Sequence, residues 1–416
     1  MNSVPNAISA IAVLAFAWHG SSVQAQMPRF TLDEALRTAC EQAPSMQRAR
    51  AEAERMDALR GAASEMPRAE VVYMRGQYNT HVKQDNNITA TQTIPFPTLI
   101  AARSGAAQAE AKVAHAQRRL AEYDLAWRVK EAWQRLQHLH ATEQLLLQED
   151  STWQELARTN ALRATTGDIP PLERTTAEVR AGRSQDELRR HRDRMAAERV
   201  AFGALLGLST PADVVPEPLV PLADALPDTA VMQGPELLLL QERVHATIQQ
   251  HRVERNAFYP DLTVGYFNQT LIGAEVDAEG TRLATGSDRF QGFQIGVSIP
   301  LWALPQVARN KAAELQEIVA RAALAEGEHQ WRTELTTALQ RIASDRATLR
   351  WYAEEALPNA GLILSTSRTA YAAGAIAHAE HVLNLQQALA IRRSHLDLIL
   401  SHNLNVLLVQ RLTAGQ

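Results

Sequence analysis

The chain has 416 residues but one cysteine, Cys40. That excludes an intrachain disulfide framework and any cysteine cage for zinc or an iron–sulfur cluster. Glycine and proline number 19 and 18, too few for a collagen-like or low-complexity chain. Positive charge is not in excess either: 42 Lys and Arg face 46 Asp and Glu, for a net charge of −4. No basic face for nucleic acid is therefore expected. No uninterrupted run of about 18 apolar residues occurs, the length a membrane-crossing helix requires. Phosphate-binding glycine loops, HExxH and a Ser/His/Asp triad are all missing, so the sequence implies neither cofactor nor enzymatic chemistry. What is present is 46% hydrophobic, too apolar for disorder. The dominant texture is Ala, Glu, Arg and Gln, which is helical.

The first 25 residues read as an export signal. Ala7 to Trp18 is apolar, and Val23-Gln24-Ala25 gives the small-residue pattern of a cleavage site after Ala25. Met1 to Asn6 carries no Lys or Arg, so only the terminal amine supplies the usual positive charge. No cysteine follows the site, so a lipoprotein anchor is not expected.

The remainder is written twice. Residues 26–213 run from a helix-forming stretch (Thr31 to Glu65) through Met66-Pro67 and a strand pair ending at Thr93-Ile94-Pro95-Phe96. A very long helix, Gly167 and a second helix follow. Residues 234–416 repeat the order: helix from Glu236 to Phe258, Tyr259-Pro260, strands ending at Ser298-Ile299-Pro300-Leu301, a long helix, Gly374 and a last helix. Between them, 214–233 holds Pro216, Pro218, Pro221 and Pro227 and reads as a linker.

From Ile100 to Thr166 there is no proline, and at 1.5 Å per residue the stretch spans on the order of 100 Å. Leu125, Val129, Ala132, Leu136 and Leu139, with Trp331, Leu335, Ala338, Leu339 and Ile342 in the other half, form narrow coiled-coil seams. Pro358 should kink or unwind the second long helix. Glu70 to Tyr78, Asn87 to Ile94, Leu262 to Thr270 and Phe290 to Ile299 alternate as strands do. About nine residues is also what a tilted strand needs to cross a bilayer. The last is clearest, with Phe293, Ile295, Val297 and Ile299 on one face and Gln294, Gly296 and Ser298 on the other. If that apolar face meets lipid, four strands cannot close on themselves. Three chains would supply twelve strands around a pore. The expected fold is mainly α with a small β membrane part, each chain giving four transmembrane strands to a trimeric barrel above a long coiled-coil α-barrel.

The motifs, in this order, resemble the TolC family of outer-membrane efflux channels over essentially the whole mature chain. Phe30-Thr31-Leu32-Asp33-Glu34-Ala35-Leu36 with Ala43-Pro44 resembles the family's opening helix, and Tyr259-Pro260-Asp261-Leu262 its entry to the third strand. Leu357-Pro358-Asn359-Ala360, Tyr371-Ala372-Ala373-Gly374 and Leu383-Asn384-Leu385-Gln386 resemble its second helical hairpin. Thr91-Gln92-Thr93-Ile94-Pro95-Phe96-Pro97 resembles the heavy-metal efflux branch, with Thr98-Leu99-Ile100 where Gly-Lys-Leu is usual. The resemblance implies a homotrimeric exit duct in outer-membrane lipid with a large periplasmic part. A periplasmic adaptor (a membrane fusion protein) would join it to an inner-membrane pump of the resistance–nodulation–division type. It also implies that Leu208 to Gln233 lies in an equatorial domain. The alternative is a periplasmic coiled-coil adaptor or scaffold, which would carry one helical hairpin between small β-domains rather than two.

On this reading the reversals Thr166, Gly167, Asp168, Ile169 and Ala373, Gly374, Ala375, Ile376 are the adaptor contacts, and Gly167 and Gly374 also act as helix caps. Glu380 falls where the family carries an acidic ring at the periplasmic aperture. A ring of three carboxylates would attract cations. His378 and His381 share a helical face near the same reversal. They are the weak candidates for a metal ring across three chains, and no metal site is otherwise expected.

Overall fold

A computed structural model describes residues 27–77, 82–223, 234–275, 282–299 and 302–413. The export signal, Tyr78, Pro227, Pro300 and Leu301 lie outside the described residues. The first half comprises β1 (Arg29–Phe30), α1 (Leu32–Gln42), α2 (Pro44–Ala62), β2 (Glu70–Arg75), β3 (Asn86–Ile94), α3 (Pro97–Thr165), α4 (Pro171–Leu205) and β4 (Asp213–Val214). The second comprises α5 (Pro235–Asn256), β5 (Asp261–Gln269), β6 (Phe290–Ser298), α6 (Leu304–Trp351), a π turn (Tyr352–Ala356), α7 (Leu357–Ala372) and α8 (His378–Thr413). Leu304 through Ala372 covers the same length as the 69-residue α3. The helices that return from them are 35 and 36 residues long.

Two expectations are corrected and a third is met. The helix from Thr31 to Glu65 is two helices. A capping box at Thr31 and Glu34 starts α1, but Pro44 forces Ala43 into an extended conformation (φ −62°, ψ 127°) and α2 begins anew. The first strand stops at Arg75 rather than Tyr78. Gly76 there takes φ 134°, closed to other residues, while its N–H still donates to the Asp85 carbonyl at 2.8 Å. Pro358 unwinds its helix locally, as expected: the turn before it widens into a π turn, Leu357 N–H donating to the Tyr352 carbonyl five residues back.

The four longer strands form one antiparallel sheet in the order β2-β3-β5-β6, so β3 of the first half pairs with β5 of the second. Cross-strand partners share a face. One face therefore collects Val71 and Tyr73, Ile88 and Ala90, Leu262, Val264 and Tyr266, and Phe293, Ile295 and Val297. Among the described residues nothing covers it: Phe293 and Ile295 are 82% and 83% exposed. The opposite face carries Thr89, Thr91, Thr93, Thr263, Gln294 and Ser298.

Below the sheet, α3 packs in turn against α1, α2, α4, α5 and α8. The seam residues Leu125, Val129 and Leu136 join α1 and Phe202 in one core, while Trp331, Leu335 and Ile342 join Val406 and Leu412 in another. The proline-rich segment is a strap over the first part of its length. Its first residue, Val214, belongs to β4, which pairs in parallel with β1. Gln137 then bonds both the Val215 carbonyl and the Glu217 N–H, and Asn403 bonds the Leu222 N–H and the Val220 carbonyl.

Asp213 anchors that strap. It is 2% exposed, with Oδ1 2.9 Å from His140 Nε2 and Oδ2 2.6 Å from an Arg199 guanidinium nitrogen. Burial alone would raise its pKa, but the bonds from His140, Arg199 and the Val214 N–H outweigh it and lower the value to about 2. A depressed carboxylate pKa stabilises the fold above the ordinary value of 3.8, and the contribution disappears as pH falls through about 2. Asp213→Asn is expected to cost about 2 kcal/mol near neutral pH. Thermal unfolding of the solubilised protein should show that deficit, and it should close on acidification over this range. A deficit independent of pH would show that the charge is not what matters.

Candidate functional site at the helical reversals

Both long helical hairpins reverse through the same backbone motif. At the first, Gly167 has φ 76°, its N–H donates to Ala164, and the Asp168 N–H donates to Arg163. At the second, Gly374 has φ 71°, donating to Tyr371, with Ala375 donating to Ala370. These paired bonds satisfy carbonyls that a helix end leaves open. Thr166, Gly167, Asp168, Ala373, Gly374 and Ala375 are exposed, and Ile376 is half-buried. Ile169 is a correction: it is buried, 8% exposed, and is not available on the surface.

Behind the reversals, Trp153, Leu156 and Ala157 of α3, Ala177 and Ala181 of α4, Tyr371 of α7, and Val382, Leu385 and Leu389 of α8 form a common core. Polar side chains tie the same helices together. Tyr371 donates to Asn160 Oδ1 at 2.9 Å, and Arg368 reaches Glu155 at 2.7 Å. The Arg163 guanidinium stands 5.6 Å from the Tyr371 ring centre. Higher up, Arg393 of α8 bonds Glu149 of α3 at 2.8 Å and Glu187 of α4 at 2.5 Å. Burial raises the Glu149 pKa, with the Arg393 charge opposing it.

Glu380 is exposed in the first turn of α8. His378 and His381 are not on that surface. Both are buried and bonded within the chain, His378 to Asn160 and His381 to Ser367. Nδ1 of each ring faces a protein partner, and no group of three metal-ligating side chains occurs among the described residues. The inward turn was readable: 378, 381, 385 and 388 step by three and four along the apolar seam of α8, and 380 falls off it. Asn160, Ser367 and Arg393 were missed because their partners lie on other helices, which no local motif signals.

No family model matches the sequence, and no curated protein matches it. Solved structures do. The channel-forming protein CusC superposes with a TM-score of 0.76 at 16% identity, covering 94% of this chain and 93% of that one. The outer-membrane protein VceC of Vibrio cholerae gives 0.75 at 16%, covering 92% and 96%. The outer-membrane channel CmeC of Campylobacter jejuni gives 0.76 at 13%, covering 99% and 93%. The chain has the fold of these outer-membrane channels. The likeness runs nearly end to end.

A side chain built on Gly167 or Gly374 would meet open space, so only the left-handed backbone penalises it. Gly167→Ala and Gly374→Ala should each cost about 1–2 kcal/mol of local stability. Limited proteolysis should cut those variants faster at the altered reversal with the thermal midpoint nearly unchanged. Unaltered cleavage would mean the turns tolerate another conformation.

Proposed function

We propose that three copies of the chain form an outer-membrane exit duct of a tripartite efflux system. The observation that carries this reading is the exposed apolar face of a four-stranded sheet whose outer strands, β2 and β6, each lack a second neighbour among the described residues. An open apolar sheet is unstable in water and an open edge is unstable in lipid. Three copies joined edge to edge remove both problems with twelve strands, enough to leave a pore. Phe293, Ile295, Val297 and Ile299 then face outer-membrane lipid, and the polar face lines the lumen. The helices continue the duct through the periplasm. Thr166, Gly167 and Asp168, with Ala373, Gly374, Ala375 and Ile376, meet the periplasmic adaptor, and an inner-membrane pump of the resistance–nodulation–division type supplies the energy. Heavy-metal cations are the cargo suggested by Thr91 to Pro97. The duct itself performs no chemistry. An adaptor or scaffold role fits less well, because two hairpins share one sheet here.

Fractionation tests the reading: outer-membrane enrichment with heat-modifiable trimers supports it, and release with soluble periplasm overturns it. The facing is tested separately. Ile295→Arg or Val297→Arg should cut trimer yield, since a lipid-facing cation costs roughly 2–4 kcal/mol near the midplane. Gln294→Arg, on the lumen face, should assemble. Equal yields from all three would refute the facing.

Glu380 is the proposed aperture residue. Salt screens exposed charges beyond about 8–10 Å, so a carboxylate ring governs ions only where the duct is narrow. Glu380→Gln removes charge while keeping size, and in planar bilayers it should lower cation selectivity and abolish block by multivalent cations. Glu354→Gln, in the exposed π turn, should change little. Identical behaviour of the two would remove Glu380 from the aperture.

A further inference from the structure

The two imidazoles behind the reversals are buried, and the amide that faces His378 favours its neutral form. His378 and His381 are 6% and 5% exposed. Tyr371 donates its hydroxyl to Asn160 Oδ1 at 2.9 Å, which fixes the amide so that Asn160 Nδ2 points at His378 Nδ1, 3.2 Å away. His378 Nδ1 must therefore accept, and its proton sits on Nε2, which has no partner among the described residues. A second proton would set an N–H against the amide N–H₂, donor against donor. His381 lies flat on Tyr371, with ring centres 4.6 Å apart at 6°, and its Nδ1 is 2.8 Å from Ser367 Oγ.

The surrounding charges supply little relief. From α3, Arg163 already stands over Tyr371, and Glu155 is engaged by Arg368 of α7. From α4, the Glu173 charge favours protonation of His378, but burial outweighs it. Burial pushes both below the ordinary value of 6.5, and a charge on His378 further opposes one on His381.

We propose that His378 and His381 form a pH-sensitive lock, which holds α7 and α8 against α3 when both rings are neutral and loosens the helical reversals on acidification. The consequence for passage through a duct rests on the function proposed above. The lock itself is a property of the folded chain. An imidazole held neutral contributes stability that is complete above its ordinary pKa and lost as pH falls below it. Asp213 of the strap stays ionised down to about 2 and so does not titrate over this range.

Hydrogen exchange of the full-length detergent-solubilised protein at pH 7.5 and 5.5, corrected for intrinsic rates, tests the lock. Peptides spanning residues 155–170 and 365–385 should lose protection several-fold relative to a peptide spanning 30–45. His378→Asn with His381→Asn keeps an acceptor near Nδ1 without a titrating ring and should flatten the response. In the unaltered protein, exchange of the imidazole C2 hydrogen reports each titration midpoint, which should fall below 6.5 at both histidines. Uniform loss of protection, no loss at the reversals, or a selective loss that persists in the double variant would overturn the proposal. So would midpoints at or above the ordinary value. These readouts need no pore, so failure of the duct function and failure of the lock remain distinguishable.

Discussion

The whole chain is organised by the need to support α3. A helix of 69 residues has no core of its own, and in proteins most helical stability comes from tertiary packing rather than from propensity. It must be covered over a length of about 100 Å by whatever else the sequence supplies. The coverage is sequential: α2 and α5 flank it near the sheet, α1 and β4 midway, α4 and α8 toward the reversal. Small residues make the close approach possible near the sheet, where Ala106, Ala109, Ala111, Ala114 and Ala116 are buried.

An alanine and leucine seam does not by itself fix how two long helices slide past each other. Polar pairs do. Down α3, Asp124 meets Arg411, Gln134 meets Asn403, His138 meets Asp397, Glu149 meets Arg393, and Asn160 meets His378. As one number rises the other falls, the signature of an antiparallel pair in a single register. A slip by one turn would strand several of these groups, and each buried group left unpaired costs about 1–3 kcal/mol. The strap uses the same positions, since Asn403 bonds both Gln134 and the Leu222 N–H. The two halves are thus locked in register at mid-length, and that sets where the reversals end relative to the sheet.

Local signals in the sequence carried most of this. Alternation marks β5 and β6 because one face must stay apolar, and Gly167 and Gly374 mark the reversals because the left-handed turn suits glycine. The break at Ala43 was also written, in Pro44, but a continuous run of helix formers on both sides masked it. Long-range adjacency was not legible. That Asn87 pairs with Gln269, joining the halves in one sheet, depends on how the helices beneath pack. The Asp213–His140–Arg199 cluster joins residues from three elements, and the tie of Asn160 to His378 spans 218 positions. Residues that far apart share no spacing from which a contact could be inferred.

The sheet records its own curvature. All three glycines in its strands, Gly265, Gly292 and Gly296, lie on the polar face, and the apolar face has none. Two of them sit under large partners: a side chain on Gly265 would come within 2.6 Å of Gln294, and one on Gly292 within 2.7 Å of Phe267. Glycines are positions where a sheet can bend, and here they relieve bulk on the polar side alone. On the apolar face only Ala90 is small, so bending with that face convex is the easier direction. A sheet concave on its polar face and convex on its apolar face has the curvature that a lipid-facing, water-filled barrel requires. The side-chain pattern of a single chain therefore favours closure in one direction, which gives the proposed barrel a local cause as well as an edge to satisfy.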